Sequence, residues 1–298
     1  MAKSQPTNGQ KARIAIAGFG LVGRRHAAAN GFSRSATLVS VVDPRKDVAA
    51  EVTSFGARYY QNLADLMSDD KPDGIILSTP TKLHVEQAIE CVKAGVPVLI
   101  EKPLSDDREA AAKLVADAKR AGVAVLVGHH RRFNPIIRQA KNLIAQGKIG
   151  ELRAVHATCW FYKPDDYFEE APWRKQNGAG PISVNLVHDI DLLRYLCGEI
   201  ECVQAQTAPS KRGFENEDLA SAILRFKQGA LGTLSVSDSV VSPWSWELTA
   251  KEYPIYPATD QSTYLLGEVR EHYLSRICAF GGMRDMLTGG HLYRQRTI

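Results

Sequence analysis

The sequence has little of what marks several large protein classes. Its five cysteines (Cys91, Cys159, Cys197, Cys202 and Cys278) are odd in number, scattered, and never spaced C-x-x-C. That argues against a disulfide framework or a cysteine zinc site and for a reduced, cytoplasmic setting. No window reaches the roughly 18 apolar residues that a membrane helix needs, so no membrane partner is expected. Residues 1–10 lack the apolar core of a signal peptide and read as a disordered polar tail. Charge is nearly balanced: 37 Lys and Arg against 33 Asp and Glu leave a net +4, without a long basic run. Nucleic acid is therefore not an expected partner. What remains is a globular composition, 44% hydrophobic and 23% charged over 298 residues. That suits one large or two medium domains and excludes a disordered, collagen-like or coiled-coil chain.

Residues 11–128 alternate short β-branched runs with amphipathic segments. Arg13–Ala17, Thr37–Val42, Gly74–Ser78, Val96–Ile100 and Val123–Val127 read as strands. Between them Leu83–Lys93 places Val85, Ile89 and Val92 on one helical face, and Ser105-Asp106-Asp107 starts another helix that Gly122 ends. This alternation predicts an α/β fold with a doubly wound parallel sheet. From residue 129 the pattern changes. Extended runs at Glu151–Phe161, Cys202–Thr207, Leu219–Phe226 and Ala230–Ser237, with a turn at Lys227-Gln228-Gly229, surround one strong helix at Ser183–Cys197. They predict a second, α+β domain over 129–298 with an open, mainly antiparallel sheet.

The first strand runs into Gly18-Phe19-Gly20-Leu21-Val22-Gly23, a G-x-G-x-x-G turn that opens a helix. Gly18 permits the tight turn, Gly20 lets backbone approach a pyrophosphate, and Gly23 allows close helix–strand packing. Asp43 ends the second strand 20 residues after Gly23. A carboxylate there accepts hydrogen bonds from ribose hydroxyls and repels a 2′-phosphate, which favours NAD over NADP. Arg45 keeps NADP open. Asp43 also reads, more plainly, as a turn residue before Pro44.

Two further segments end strands of the same sheet: Ser78-Thr79-Pro80, with His84 four residues on, and Glu101-Lys102-Pro103. Ligands of open parallel sheets bind beyond these carboxyl ends, so Ser78, Thr79, Pro80, His84, Glu101 and Lys102 are candidate cofactor contacts. For His84 a capping or packing role is the competing reading. A third cluster is Trp173-Arg174, then Gly178-Ala179-Gly180-Pro181, then a helix carrying Asn185, His188 and Asp191. Along it Leu186, Ile190, Leu193 and Cys197 form an apolar stripe while His188, Asp191 and Tyr195 share another face. His130 and Arg131, in a His-His-Arg-Arg run at the end of the sixth strand, are candidate substrate contacts. No cysteine or carboxylate converges there, so no metal is expected.

With these motifs in this order, the sequence resembles the Gfo/Idh/MocA family from about Lys11 to Leu266. The resemblance implies a Rossmann domain followed by an α/β domain whose open sheet often mediates oligomer contacts, so a homodimer or homotetramer is expected. It also implies hydride transfer between NAD(P) and a hydroxyl or carbonyl on a sugar, cyclitol or related polyol. In such enzymes the lysine of E-K-P and the histidine of the H-x-x-D helix act at the reacting oxygen; here these are Lys102 and His188. Their chemistry suits the task, since a neutral imidazole with a pKa of about 6.5 can accept a proton and an ammonium can stabilise an alkoxide. Asp191 is expected to orient His188 or bind a substrate hydroxyl. Trp173 and Arg174 suit a sugar rim. The competing readings are a non-catalytic dinucleotide sensor and an inactive, truncated member.

Two features depart from the family pattern. Many members carry an aspartate four residues before the helix histidine; here that residue is Val184, followed by Asn185. Either Asn185 substitutes, or Lys102 and His188 work alone. Residues 267–298 also lack the expected closing strands. Codons can be chosen for Glu268 to Gly281 that, read from the third base of Glu268, encode Gly-Ser-Gly-Ala-Leu-Ser-Val-Pro-Asp-Leu-Arg-Val-Trp, a family-like ending. The segment therefore reads as the product of a frameshift, which resequencing the gene would check.

Overall fold

The structure, a computed structural model, describes residues 11–242 together with Trp246 and Ala250. The tail 1–10, Cys278 and the atypical stretch 267–298 lie outside the described residues. The chain divides into two compact units between His129 and His130.

In the first unit, β1 (Ala12–Ala17), α1 (Leu21–Gly31), β2 (Ala36–Val42), α2 (Ala49–Ser54), β3 (Arg58–Tyr60) and α3 (Leu63–Asp69) form one half. The other half is β4 (Gly74–Leu77), α4 (Thr81–Lys93), β5 (Val98–Ile100), α5 (Arg108–Ala121) and β6 (Val125–Val127). The six strands pair in parallel in the order β3-β2-β1-β4-β5-β6, the doubly wound arrangement whose strand order reverses beside β1. Local chemistry fixes the ends of α5: Asp107 accepts from the Glu109 and Ala110 amides at 2.8 and 3.2 Å, and Gly122 stops the helix at φ +65°. β5 starts two residues later than the apolar run suggests, after Pro97, which has no N–H to give a ladder. β3, three residues long, carries too short a pattern to be read from sequence. Two cores lie on either side of the sheet, one around Ala15, Leu66, Leu77, Ile100 and Leu114, the other around Ile16, Phe19, Val41 and Val52.

The second unit has α6 (Pro135–Ala145), β7 (Ala154–Trp160), α7 (Asp165–Glu169), α8 (Val187–Cys197), β8 (Ile200–Pro209), β9 (Glu217–Phe226) and β10 (Leu231–Ser237). The sheet order is β7-β10-β9-β8. Neighbours are antiparallel except β7 and β10, which run parallel, so the sheet is mixed. The turn at Lys227–Gly229 joins β9 to β10, with the Phe226 amide donating to the Ala230 carbonyl at 3.0 Å. Leu192, Leu193 and Leu196 pack with Leu224, Phe226, Leu234 and Val236 on one face of this sheet. The opposite face exposes Ile223 and Leu231. Among the described residues no helix is long and apolar enough to cross a membrane.

Candidate active site

The glycine turn after β1 is built by close approach. Gly18 has φ +87°, and a Cβ there would lie 2.6 Å from the Ser78 carbonyl oxygen. A Cβ on Gly23 would come within 2.0 Å of the Gly18 oxygen. Gly20 differs: its backbone is extended and a Cβ would meet nothing within 4 Å. Nothing among the described residues requires a glycine there. The open space borders the N-terminus of α1, which no side chain caps. That is the cradle a dinucleotide pyrophosphate needs, with helix amides turned outward. Leu21 and Val22 are exposed beside it. Phe19 is not available as a side chain: its ring is fully buried and its amide donates to Asp43 Oδ2 at 2.7 Å.

Asp43 is 4% exposed. Its carboxylate accepts from the Phe19 amide, from the Arg45 amide at 3.0 Å and from a two-pronged Arg45 guanidinium at 2.9 and 3.0 Å. Burial works to raise its pKa, but the bonds from Arg45 and Phe19 prevail and hold the carboxyl below the usual range. The Arg45 charge is directed at Asp43 and at the Phe19 carbonyl, 3.1 Å away, which favours a ribose diol over a 2′-phosphate.

At the end of β4, Ser78 and Thr79 turn their hydroxyls inward. Ser78 Oγ donates to the Ala17 and Gly18 carbonyls, and Thr79 Oγ1 to Gln87 at 2.6 Å. These side chains shape the turn, which runs through the exposed Pro80 into α4. The reading of His84 as a cofactor contact is corrected. The ring is 1% exposed, with Nδ1 facing the Pro103 carbonyl at 2.9 Å and Nε2 the Thr79 carbonyl at 2.8 Å. It ties the two strand-end loops together and keeps both nitrogens occupied.

After β5, Glu101 Oε1 lies 2.7 Å from His26 Nε2 on α1, and Oε2 accepts from the Lys102 amide at 3.3 Å. Burial opposes ionisation of Glu101, yet the His26 bond and its charge keep the carboxyl below its ordinary value. A Cβ at Gly128 would sit 3.0 Å from Oε1, so that glycine leaves room for the carboxylate. Glu101 thus fixes the backbone that carries Lys102, rather than reaching outward for a ligand.

In the second unit the helix bearing His188 begins in a π-helical turn, Ile182–Leu186, and continues as α8. Gly180 precedes it because a Cβ there would lie 2.2 Å from Glu217, whose Oε1 accepts from the Ile182 amide at 3.1 Å. Three successive residues of a 3-10 turn face this helix. The His130 ring meets His188 edge-on at 5.0 Å, Arg131 Nη1 contacts both Asp189 oxygens at 3.3 Å, and Arg132 Nε donates to Asp191 at 2.7 Å. The Asp191 carboxylate, expected to serve His188 or a substrate hydroxyl, holds Arg132, whose guanidinium also covers the Tyr195 ring. Asn185, Arg131 and Asp189 line one small cavity with Trp160, Phe161 and Trp246.

Trp173, a candidate sugar contact, is 54% exposed. Arg174 is corrected as a substrate contact. Its guanidinium stacks 3.9 Å above Tyr167, donates to the Tyr167 carbonyl and reaches Glu170 at 3.4 Å, which spends it on α7. Sequence reasoning named no role for Arg132, although it ends the His-His-Arg-Arg run, and missed Lys163 and Glu217, which lie in no motif; only the folded pairings reveal them. Among the described residues no cluster of three or more His, Cys, Asp or Glu could hold a metal.

Comparison with known proteins agrees with this geometry. Residues 12–129 match the oxidoreductase family with an NAD-binding Rossmann fold, and 137–253 match the GFO/IDH/MocA C-terminal domain. The chain is 29% identical over 236 residues to 4-carboxy-2-hydroxymuconate-6-semialdehyde dehydrogenase of Sphingobium sp., covering 76% of this chain and 71% of that protein. It is 30% identical over 241 residues to myo-inositol 2-dehydrogenase of Thermotoga maritima, covering 77% and 69%. The crystal structure of the WlbA dehydrogenase of Bordetella pertussis, in complex with NADH and UDP-GlcNAcA, superposes with a TM-score of 0.72 at 31% identity, over 78% and 72% of the two chains. An open glycine cradle, an acid at the end of β2 and these matches across both units lead to one statement: the chain belongs to the GFO/IDH/MocA family of NAD-binding oxidoreductases.

Proposed function

We propose that this chain is an NAD-dependent dehydrogenase acting on a CH–OH group of a sugar, cyclitol or related polyol. The observation that carries the reading is Gly20, a glycine without an internal steric reason at the mouth of a helix whose first turn is uncapped. Its amide and those of α1 would hold the pyrophosphate, and Asp43 would accept the adenosine ribose hydroxyls. NAD, when bound, supplies the hydride acceptor. The chain's own residues then have one proton and one oxygen to manage. His188, largely buried on α8, takes the hydroxyl proton at a ring nitrogen as the C–H bond gives up its hydride. Lys102 donates a charge-assisted hydrogen bond to the oxygen as negative charge develops on it. The substrate class is supported by relatives named for inositol and by one solved with a nucleotide sugar acid. His130, Arg131, Asn185 and the exposed Trp173 are the proposed sugar contacts.

The open sheet face with Ile223 and Leu231 is proposed to meet a second copy of the chain, since apolar side chains of that size are more than half exposed there. A screen of polyols, sugars and sugar acids with NAD and NADP separately, following absorbance of the reduced cofactor, tests the activity. Turnover with NAD on at least one polyhydroxylated substrate is expected; inertness toward the whole panel would overturn it.

A further inference from the structure

Lys163 stands outside every motif and is 4% exposed. Its backbone is clamped on both sides: the amide donates to the Asp238 carbonyl at 2.9 Å and the carbonyl accepts from Arg212 at 2.8 Å. Its ammonium lies 4.9 Å over the Tyr167 ring and 2.7 Å from Asn185 Oδ1. Nearby Asp238, 2% exposed and paired with Arg212 at 3.0 Å, supplies compensating negative charge. A buried cation with such support is a costly way to fill space that a methionine would fill more cheaply. What it does accomplish is chemical. An ammonium has three donors and no acceptor, so the Asn185 atom facing it must be the carbonyl oxygen. The amide cannot flip, and Asn185 is left with its NH2 group as the end available to a partner. Asn185 sits in the π-helical turn one helical turn before His188 and lines the cavity with Arg131. Such turns gather at functional sites.

We infer that Lys163 is a positioning residue that locks Asn185 as a hydrogen-bond donor to substrate, so the site prefers a substrate with an acceptor oxygen, a carboxylate or carbonyl, near the reacting carbon. This rests on the dehydrogenase reading and deepens it. The adjacent Val184 offers no acceptor of its own. An acid at this turn would accept from a hydroxyl; a pinned amide gives.

The test uses the full chain and pairs of substrates sharing a skeleton, one a neutral polyol and one its sugar acid. Wild type is expected to favour the acid. N185D, whose new carboxylate would face Lys163 and repel a substrate carboxylate, should shift the kcat/KM ratio toward the neutral member by roughly tenfold or more, the worth of one charge-assisted bond. K163M should raise KM for the acid by about tenfold, with NADH affinity, read by fluorescence titration, unchanged; K163R should recover part of the loss. An unchanged acid-to-neutral ratio in N185D, or a folded K163M with wild-type KM, overturns the inference. Thermal unfolding of K163M, N185L and the double variant reads the contact without any substrate: shifts short of additive by about 2–4 °C are expected, and additive shifts reject it. If wild type turns over nothing in the panel, the dehydrogenase reading fails on its own, while the thermal cycle still judges the contact.

Discussion

The first unit makes its site from backbone, and the second makes its site from paired side chains. Around β1 the work is done by what is missing: Gly18 and Gly23 lack a Cβ so that strand, turn and helix can touch, while Gly20 borders open space, where we propose that the dinucleotide approaches. Around α8 the side chains are paired, Arg131 with Asp189 and Arg132 with Asp191 by charge, and Lys163 with the Asn185 amide oxygen by a hydrogen bond. A backbone site is rigid and general, suited to a cofactor common to many reactions. A site of paired side chains can be re-tuned one pair at a time, suited to a substrate that differs from one enzyme to the next.

The contrast can be broken in graded ways. The largest effect should come from Lys102→Met, which removes the donor to the developing alkoxide: kcat falls about 10²–10³-fold while NADH titration is unaltered. Gly20→Val should follow. Its backbone is extended and its surroundings open, so thermal stability should stay within about 2 °C of wild type, yet NADH affinity should drop roughly 100-fold as the cradle fills. Gly23→Ala, in contrast, should lower stability as well. A Gly20 variant that binds NADH normally would remove the argument for the cradle.

Asp43→Asn comes next, with about a tenfold loss of NADH affinity and a gain for NADPH relative to it. Its stability effect has a definite sign in pH. The Asp43 carboxyl is depressed in the folded protein, so it contributes stability above the ordinary carboxylate value of about 4 that drains away as pH falls through the lower folded value. The difference in melting temperature between wild type and Asp43→Asn should therefore shrink below about pH 4; a difference that grows there would contradict the pairing with Arg45. Arg132→Ala should cost about 1–3 kcal/mol by denaturant unfolding, because it leaves the buried Asp191 carboxylate without its guanidinium. The smallest effect is Lys113→Ala: its pair with Asp117 is an exposed one on α5 and should be worth less than about 0.5 kcal/mol.

The same contrast explains what could be read from the sequence. Gly18, Gly20 and Gly23 announce themselves because the constraint is local, three glycines within six residues between a strand and a helix, and Asp43 because it ends the next strand. The apolar stripe of Leu186, Ile190, Leu193 and Cys197 was legible for the same reason, as helical spacing puts it on one face. Roles that depend on a distant partner were not. Asp191 reads as a helper of His188 by spacing, and nothing in that spacing shows Arg132, 59 residues away, at its carboxylate. His84 reads as a ligand contact until the Pro103 and Thr79 carbonyls are seen at its two nitrogens. Arg174 reads as a sugar clamp until Tyr167 lies beneath it. The parallel pairing of β7 with β10 was hidden too, because both strands show the same alternation whichever way a neighbour runs.

The central claim is that the first unit binds the dinucleotide while an imidazole on α8 carries the proton of the same reaction. The direct measurement is NADH titration alongside steady-state turnover for wild type and His188→Ala. Equal NADH affinity with turnover reduced about 10²–10⁴-fold in the variant is the predicted result. Retained turnover in His188→Ala, or no NADH binding by the wild-type chain, would contradict it.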